Sequence, residues 1–554
     1  MKQLTFLLFA LPLSLAAQST VGLLQYDPGN EAGYVLFSPN ASDTTYLVDK
    51  CGYRVHSWTS NQSPGQSVRL LENGLLLRPG RSNNPVFTAG GQGGIIELLD
   101  WNGQVLWSYS VSSATECQHH DVYPMPNGNI LVLSWDLKTP SQAIAAGRDT
   151  ARIGVSLWSE KIMELQPVGT SGANIVWQWN AWDHLVQAYD PTKTNFGAVA
   201  QHPELIHLNQ FSGPATATDW LHCNSLDYDS TTDQIILSCH NFSEIWFIDH
   251  GTTTAEAAGH TGGRYGKGGD LLYRWGNPQT YGRGTVADKR LFGQHHPHRI
   301  KSGMNDAGKV LIFNNGLGRP AGNYSTVEVL ELPMDSIGNF AAPGTGPYLP
   351  DSAVWKYTAP VPTDFFSQNI SGAQRLENGN TLICSGQNGI FFEIDQSKNT
   401  VWKYVSPTTT GGNPIAQGTV PTQNSVFRCT LYPATYPGLS GHNLTPGAPI
   451  ELNPTASACT MLGTGGSPAS TDIRREKLSI IRIGENTWRA DWIGNPERIL
   501  IRVLDLCGRE TVALRPLELN GTEPVYFSLE PPATGWQLLE ATNGVQRWSF
   551  RVVR

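Results

Sequence analysis

Three segments of the sequence carry histidines just ahead of a polar hairpin turn: ECQHHDVYPMPNGN with His119 and His120, DWLHCNSLDYDSTTDQ with His222, and FGQHHPHRIKSGMNDAGK with His295, His296 and His298. Imidazoles recurring at one place in a repeat offer three chemistries. Neutral rings bind transition metals, and His295, His296 and His298 together with His120 supply enough nitrogen ligands. No HExxH arrangement or dense carboxylate set accompanies them, and adjacent residues on a strand face opposite sides, so no metal and no cofactor are expected. Histidines also serve as plain hydrogen-bonding groups, which is the ordinary role of a lone one. The third reading is nucleophilic catalysis on an anionic ester. One imidazole attacks, and its neighbours stabilise charge on the ester oxygens and on a departing phenolate. His222 and Asn224 lie two apart and so share a face of an extended strand, and His240 follows on the next strand after the hairpin.

Such residues can meet only if the fold brings distant segments together, and the repeats describe how. A short strand ending in an aromatic pair occurs six times: RVHSW from Arg54, VLWSY from Val105, IVWQW from Ile175, LLYRW from Leu271, AVWKY from Ala353 and TVWKY from Thr400. A polar turn followed by an aliphatic strand occurs five times: ENGLLL at Glu72, PNGNILVL at Pro126, TTDQIILS at Thr231, AGKVLIF at Ala307 and ENGNTLI at Glu377. Asn and Gly accept the positive φ that tight hairpins require. Six aromatic strands predict six four-stranded blades, and an all-β six-bladed propeller is the expected fold. The missing sixth hairpin partner is assigned to NSVFRCTLY, Asn424 to Tyr432, which would close the ring and leave no open sheet edge. The innermost strands of a propeller converge on one axis, so the three histidine segments would line one channel.

The same segments resemble a known family, the bacterial aryl-sulfate sulfotransferases, which are six-bladed propellers that use no nucleotide sulfate donor. DWLHCNSLDYDSTTDQIILS is similar to that family's paired His and Asn segment. The QH of FGQHH leading to VLIFNNGLGRP is similar to its nucleophile strand, and HHDVYPMPNGNILVL to its earlier histidine strand. The likeness runs from about Gly33 to Pro446. It implies that His295 is the nucleophile that becomes transiently sulfated. His222, Asn224 and His120 would hold the sulfate and protonate or stabilise the phenolic oxygen. The implied reaction is ping-pong transfer from a phenolic sulfate ester to a phenol acceptor, with aromatic side chains near the channel mouth stacking on both rings. One departure stands out, because better-known members have an arginine where this sequence has His240. A guanidinium is a permanent bidentate cation, whereas an imidazole is charged only when its pKa allows. Arg319 in GLGRP is a candidate for compensation. Two alternatives stay open: an aryl sulfate hydrolase, with water replacing the phenol at the same histidine, and a non-catalytic surface propeller that only binds.

The chain has 554 residues, 15% of them charged, with a formal net charge of -8. Nothing in that balance could neutralise a nucleic-acid backbone, and no P-loop or GxGxxG supports a nucleotide donor. Met1-Lys2, the apolar run Leu4 to Leu15 and Ala16-Ala17 read as a signal peptide over residues 1–17, too short to span a bilayer. Export is therefore expected, to the surface or the medium, with no membrane span. Eight cysteines without CxxC spacing permit one or two disulfides whose pairing stays open. The propeller is placed at 18–446, a Pro/Gly/Ser/Thr-rich linker at 447–476, and a small β-sandwich at 477–554. In that last part, LDLCGRE and the basic final strand resemble the C-terminal sorting domain of type IX secretion substrates, which implies the type IX machinery as a partner.

Overall fold

The computed structural model describes residues 19–210, 217–455 and 459, and beyond these only the strands up to Val552. The expected signal peptide at 1–17 lies outside the described residues. Chain contacts define two units, Met1–Gly465 and Gly466–Arg554.

The first unit is an all-β assembly whose blades are six antiparallel sheets, each built mainly from consecutive strands, with a small parallel pair, Leu185–Val186 and Ile206–His207, outside them. Blade 2 comprises Arg69–Leu70, Leu76–Arg81, Gly94–Leu99 and Val105–Ser110, and blade 3 comprises Glu116–Pro124, Ile130–Lys138, Leu157–Val168 and Gly172–Asn180. Blade 4 is Cys223–Asp229, Gln234–Cys239, Glu244–Asp249 and Tyr273–Trp275. Blade 5 is His295–Arg299, Val310–Asn314, Thr326–Leu330 and Trp355–Tyr357. Blade 6 is Gly372–Arg375, Thr381–Ser385, Ile390–Ile394 and Thr400–Val405, with Gly22–Tyr26 added at its outer edge. Blade 1 is composite. Its strands Tyr34–Pro39, Thr44–Asp49 and Arg54–Thr59 come from the N-terminal region, and Val426–Tyr432 pairs with Tyr34–Pro39 as the innermost strand. The closing strand expected at Asn424 to Tyr432 is thus the one that completes the ring.

The six aromatic strands are the fourth strands of the six blades, counted from the axis, and their tryptophans explain why the pattern repeats. Trp58 Nε1 donates to Asp100 O (3.1 Å), Trp107 to Gly172 O (2.8 Å), Trp275 to Pro350 O (2.7 Å) and Trp402 to Lys50 O (2.7 Å). Each bond reaches the next blade at the connection between its third and fourth strands. An indole buries a large apolar body while its N–H satisfies a loop carbonyl, so one residue type packs and fastens neighbouring sheets together. At the seam between blades 6 and 1, Lys50 lies 3.8 Å from the Trp402 ring and bonds Glu393 at 2.6 Å, both fully buried. A disulfide joins Cys51 to Cys459.

In the second unit the strands form two antiparallel sheets. One contains Lys477–Arg482, Thr487–Ile493 and Val525–Ser528, and the other contains Glu497–Leu504, Glu510–Ala513, Gln537–Thr542 and Arg547–Val552, with Leu517–Leu519 also pairing Glu497–Leu504. The face-to-face packing that a sandwich requires lies outside the described residues, as does most of the expected linker.

Candidate active site

The innermost strands of blades 3, 4 and 5 lie side by side at the axis. Each is irregular at the residue that matters. Register slips occur between Val132 and Ser134, opposite His119 to Asp121, between Cys223 and Ser225, and between His295 and His298. His120 (φ 51°), His222 (φ 47°) and His296 (φ 53°) are all left-handed. Bulges and positive φ in non-glycine residues re-aim side chains at a local cost, and recurrence at one level of three strands marks a built feature. The strand bulges between Cys223 and Ser225, so the simple alternation expected to put His222 and Asn224 on one face is interrupted there.

The result is a continuous row of imidazoles. Ring centroids are separated by 4.7 Å from His120 to His222, 5.3 Å from His222 to His240, and 5.6 Å from His240 to His295. Gly91 backs the row. A Cβ there would fall 2.0 Å from the His120 ring, so only glycine allows this approach. His295 is buried, with Nδ1 donating to Asn315 Oδ1 (2.8 Å), which leaves the Nε2 lone pair to accept from Ile370 N–H (3.1 Å). Asn315 Nδ2 in turn donates to Ser367 O and Ile370 O, so one amide both sets the His295 tautomer and holds the turn above it. That turn is itself strained, with Ile370 at φ 50° and Ser371 at φ 92°.

Charge is distributed unequally along the row. Burial holds the His120 and His295 imidazoles well below the usual histidine range, and like charge from the neighbouring histidines acts in the same sense. Burial also takes His240 down to about 4, with smaller contributions from His222 and Lys289, so at neutral pH it is an uncharged hydrogen-bonding group. His222 differs. Although burial opposes its charge, Asp219, 2.5 Å from its Nδ1, raises its pKa, and the Asp219 carboxyl is held below its usual range by the same partner. Within the row, His222 is thus the ring shifted toward its charged form, while His120, His240 and His295 are shifted away from it.

Behind His120 runs a second line of groups. His119 stacks on Trp135 (4.0 Å), meets Glu160 through Nε2 (2.8 Å) and faces His120 Nδ1 through its own Nδ1 (2.9 Å). Burial pushes the Glu160 carboxyl well above the carboxylate range. This favours a protonated Glu160 donating to His119 Nε2, with His119 Nδ1–H donating to His120 and leaving the His120 proton on Nε2, toward the row.

The other sequence candidates are placed as follows. Asn224 is buried and its Nδ2 donates to Gln294 O (2.9 Å), fastening the residue that precedes His295. His296 and His298 stack on each other (4.3 Å) and feel Arg428 and Arg69, away from His295. Arg69 and Arg428 both pair with the buried Asp121. Arg319 is committed to Thr326, Tyr324 O and Glu328, and lines a cavity of about 330 Å³ with Lys289 and Phe292. Asp219 and Glu160 were not singled out as site residues. Asp219 sits in the quoted DWLH segment, but only the fold places its carboxylate on His222. Glu160 belongs to a different strand of blade 3, with no motif around it.

Fold and site together define a six-bladed propeller with a buried histidine row on its axis. The description arylsulfotransferase (ASST) matches residues 40–332, and the chain belongs to that family. Membership supports aryl sulfotransferase activity in general, acting on small molecules. No curated protein matches the chain. Among solved structures, it is similar to a Bacteroides caccae protein of unknown function, with 12% identity over 72% of this chain and 99% of that one and a TM-score of 0.39. It is also similar to the periplasmic gluconolactonase of Pseudomonas aeruginosa, with 10% identity over 71% and 100% of the two chains and a TM-score of 0.34. For virginiamycin B lyase from Staphylococcus aureus the values are 8%, 70%, 89% and 0.31.

Proposed function

We propose that the protein moves a sulfuryl group between phenols in two half-reactions through a sulfated His295. The observation that carries this reading is the pairing, in one row, of His295, whose Nδ1–H is fixed by Asn315 so that Nε2 keeps its lone pair, with His222, whose charged form is favoured by Asp219. In the first half-reaction His295 Nε2 gives up the Ile370 N–H and attacks sulfur, the N–S bond forms and the S–O bond to the aryl group breaks. His222 gives its proton to the departing phenolate and becomes neutral. In the second, the acceptor phenol returns a proton to His222 as its oxygen attacks sulfur, and the pair of electrons in the N–S bond goes back to His295. His120, through its Nε2–H, and the Ile370 N–H face the sulfuryl oxygens, while neutral His240 spends its one N–H on Asn241 Oδ1 and lines the row without donating. The row needs no nucleotide, since the sulfate ester itself brings the activated group.

Incubation with 4-nitrophenyl sulfate, with and without added phenol, tests the reading. Phenol-dependent nitrophenol release is expected, phenol-independent release indicates hydrolysis, and silence indicates a binding protein. His295→Ala is expected to lower the phenol-dependent rate by about 10⁴-fold or more, as loss of a nucleophile does elsewhere. A variant with full activity would remove His295 from this role. Turnover is placed outside the cytoplasm, after export through the periplasm directed by the leader and by the type IX-like C-terminal unit. The Cys51–Cys459 disulfide supports an oxidising compartment.

A further inference from the structure

Away from the axial row, His184, His260 and Asp270 converge from two excursions of the chain, one following the outer strand of blade 3 and the other lying between the third and fourth strands of blade 4. His184 Nδ1 is 2.8 Å from Asp270 Oδ1, and His260 Nδ1 is 2.7 Å from the same oxygen. The His184 ring is fixed on every side. Its Nε2 meets the carbonyl of Ala257 (2.9 Å), and its plane lies within 4° of the Trp179 indole, whose Nε1 donates to Gly269 O (2.7 Å). A Cβ on Gly269 would fall 2.6 Å from His184 Nε2 and 2.0 Å from Ala257 O, so glycine is required behind the ring.

The hydrogen-bond inventory then poses a problem. A carbonyl only accepts, so the His184 proton belongs on Nε2, and a neutral imidazole has only one N–H. With that proton on Nε2, the Nδ1 that faces Asp270 Oδ1 calls for a positive centre of its own, which is either a second proton or a bound cation. A second imidazole nitrogen faces the same oxygen. An N–H held by a backbone carbonyl on one side of a histidine, with a free lone pair on the other, is how metal-ligating histidines are oriented. Two imidazole nitrogens and a carboxylate oxygen, all within 4.8 Å of one another, supply the donor types of a zinc-type cation, and the 2.8 and 2.7 Å separations would have to open by about half an ångström to admit bonds of about 2.0–2.2 Å.

We propose that His184 Nδ1, His260 Nδ1 and Asp270 Oδ1 bind one divalent zinc-type cation, with a fourth position open to solvent beside the exposed His260 ring. Such an ion would tie the two excursions together at the flank of blades 3 and 4. It takes no part in the axial chemistry.

The test uses the full chain, stripped with a chelator and titrated with Zn²⁺ by calorimetry. Metal content after desalting is measured by mass spectrometry. One equivalent is expected in the parent protein, and His260→Ala, at an exposed position that leaves the core untouched, is expected to weaken binding by about tenfold or more. Asp270→Asn is expected to do the same while keeping the side-chain volume. A parent protein that takes up no Zn²⁺ overturns the proposal. So does binding that is unchanged in both variants, which would place the metal at other ligands such as the cysteines.

Discussion

The proton on His222 is held in place by one carboxylate, and this makes it accessible to experiment. His222 has a raised pKa in the folded protein, and the proposed reaction requires it charged to protonate the departing phenolate. Donor-side turnover is therefore expected to be complete at low pH and to fade as pH rises through that raised pKa. Asp219→Asn removes the supporting charge but keeps the shape. Its alkaline limb is expected to move to lower pH by about one unit or more, measured as the pH profile of nitrophenol release. An unmoved limb would show that Asp219 does not set this proton. His240 adds no limb near neutrality, since it stays uncharged down to about pH 4. The histidines themselves were legible in the sequence because they recur at one place in a repeat. Their regulators were not: Asp219 precedes His222 by three residues outside any strand pattern, and Glu160 and Asn315 reach the row from other strands.

Between elements, two buried charge clusters hold neighbouring blades. Glu393 on blade 6 pairs with Lys50 beside blade 1, and both are removed from solvent. Glu393→Ala would leave an ammonium buried without a partner, and a loss of about 3–5 kcal/mol is expected in denaturant unfolding. His250, next to blade 4, joins Glu164 of blade 3 (2.9 Å) to Asp233 of blade 4 (2.7 Å), and these two partners raise its pKa to about 9 despite burial. A raised folded pKa means that its stabilisation is fully present below the unfolded value near 6.5 and is lost as pH rises through about 9. The size is about 3 kcal/mol at most. His250→Gln is expected to unfold at a lower temperature than the parent at pH 6 and to approach it at pH 10. The blades could be read from sequence because turn chemistry and the outer aromatic strands repeat. The bulges at His120, Asn224 and His296 could not, since they arise from inner strands meeting at a crowded axis rather than from local preference.

At the scale of the molecule, the two compact units make a separation testable. Truncation after Asp472 is expected to leave phenol-dependent turnover intact in the purified protein while stranding it in the periplasm. Truncated protein in the medium would sink the export reading, and loss of turnover would show that the propeller depends on its C-terminal neighbour.

The composite first blade has a consequence for when this protein can work. The strand that seals the ring is made after every histidine of the row has left the ribosome, and it carries Arg428, which joins Asp121 and Arg69 near the axis. Until residue 432 has emerged, the imidazoles belong to an open sheet with one side unsealed. If the row acts as proposed, competence is expected only once the two ends of the propeller meet, so a chain truncated before Val426 should show no sulfate-ester turnover.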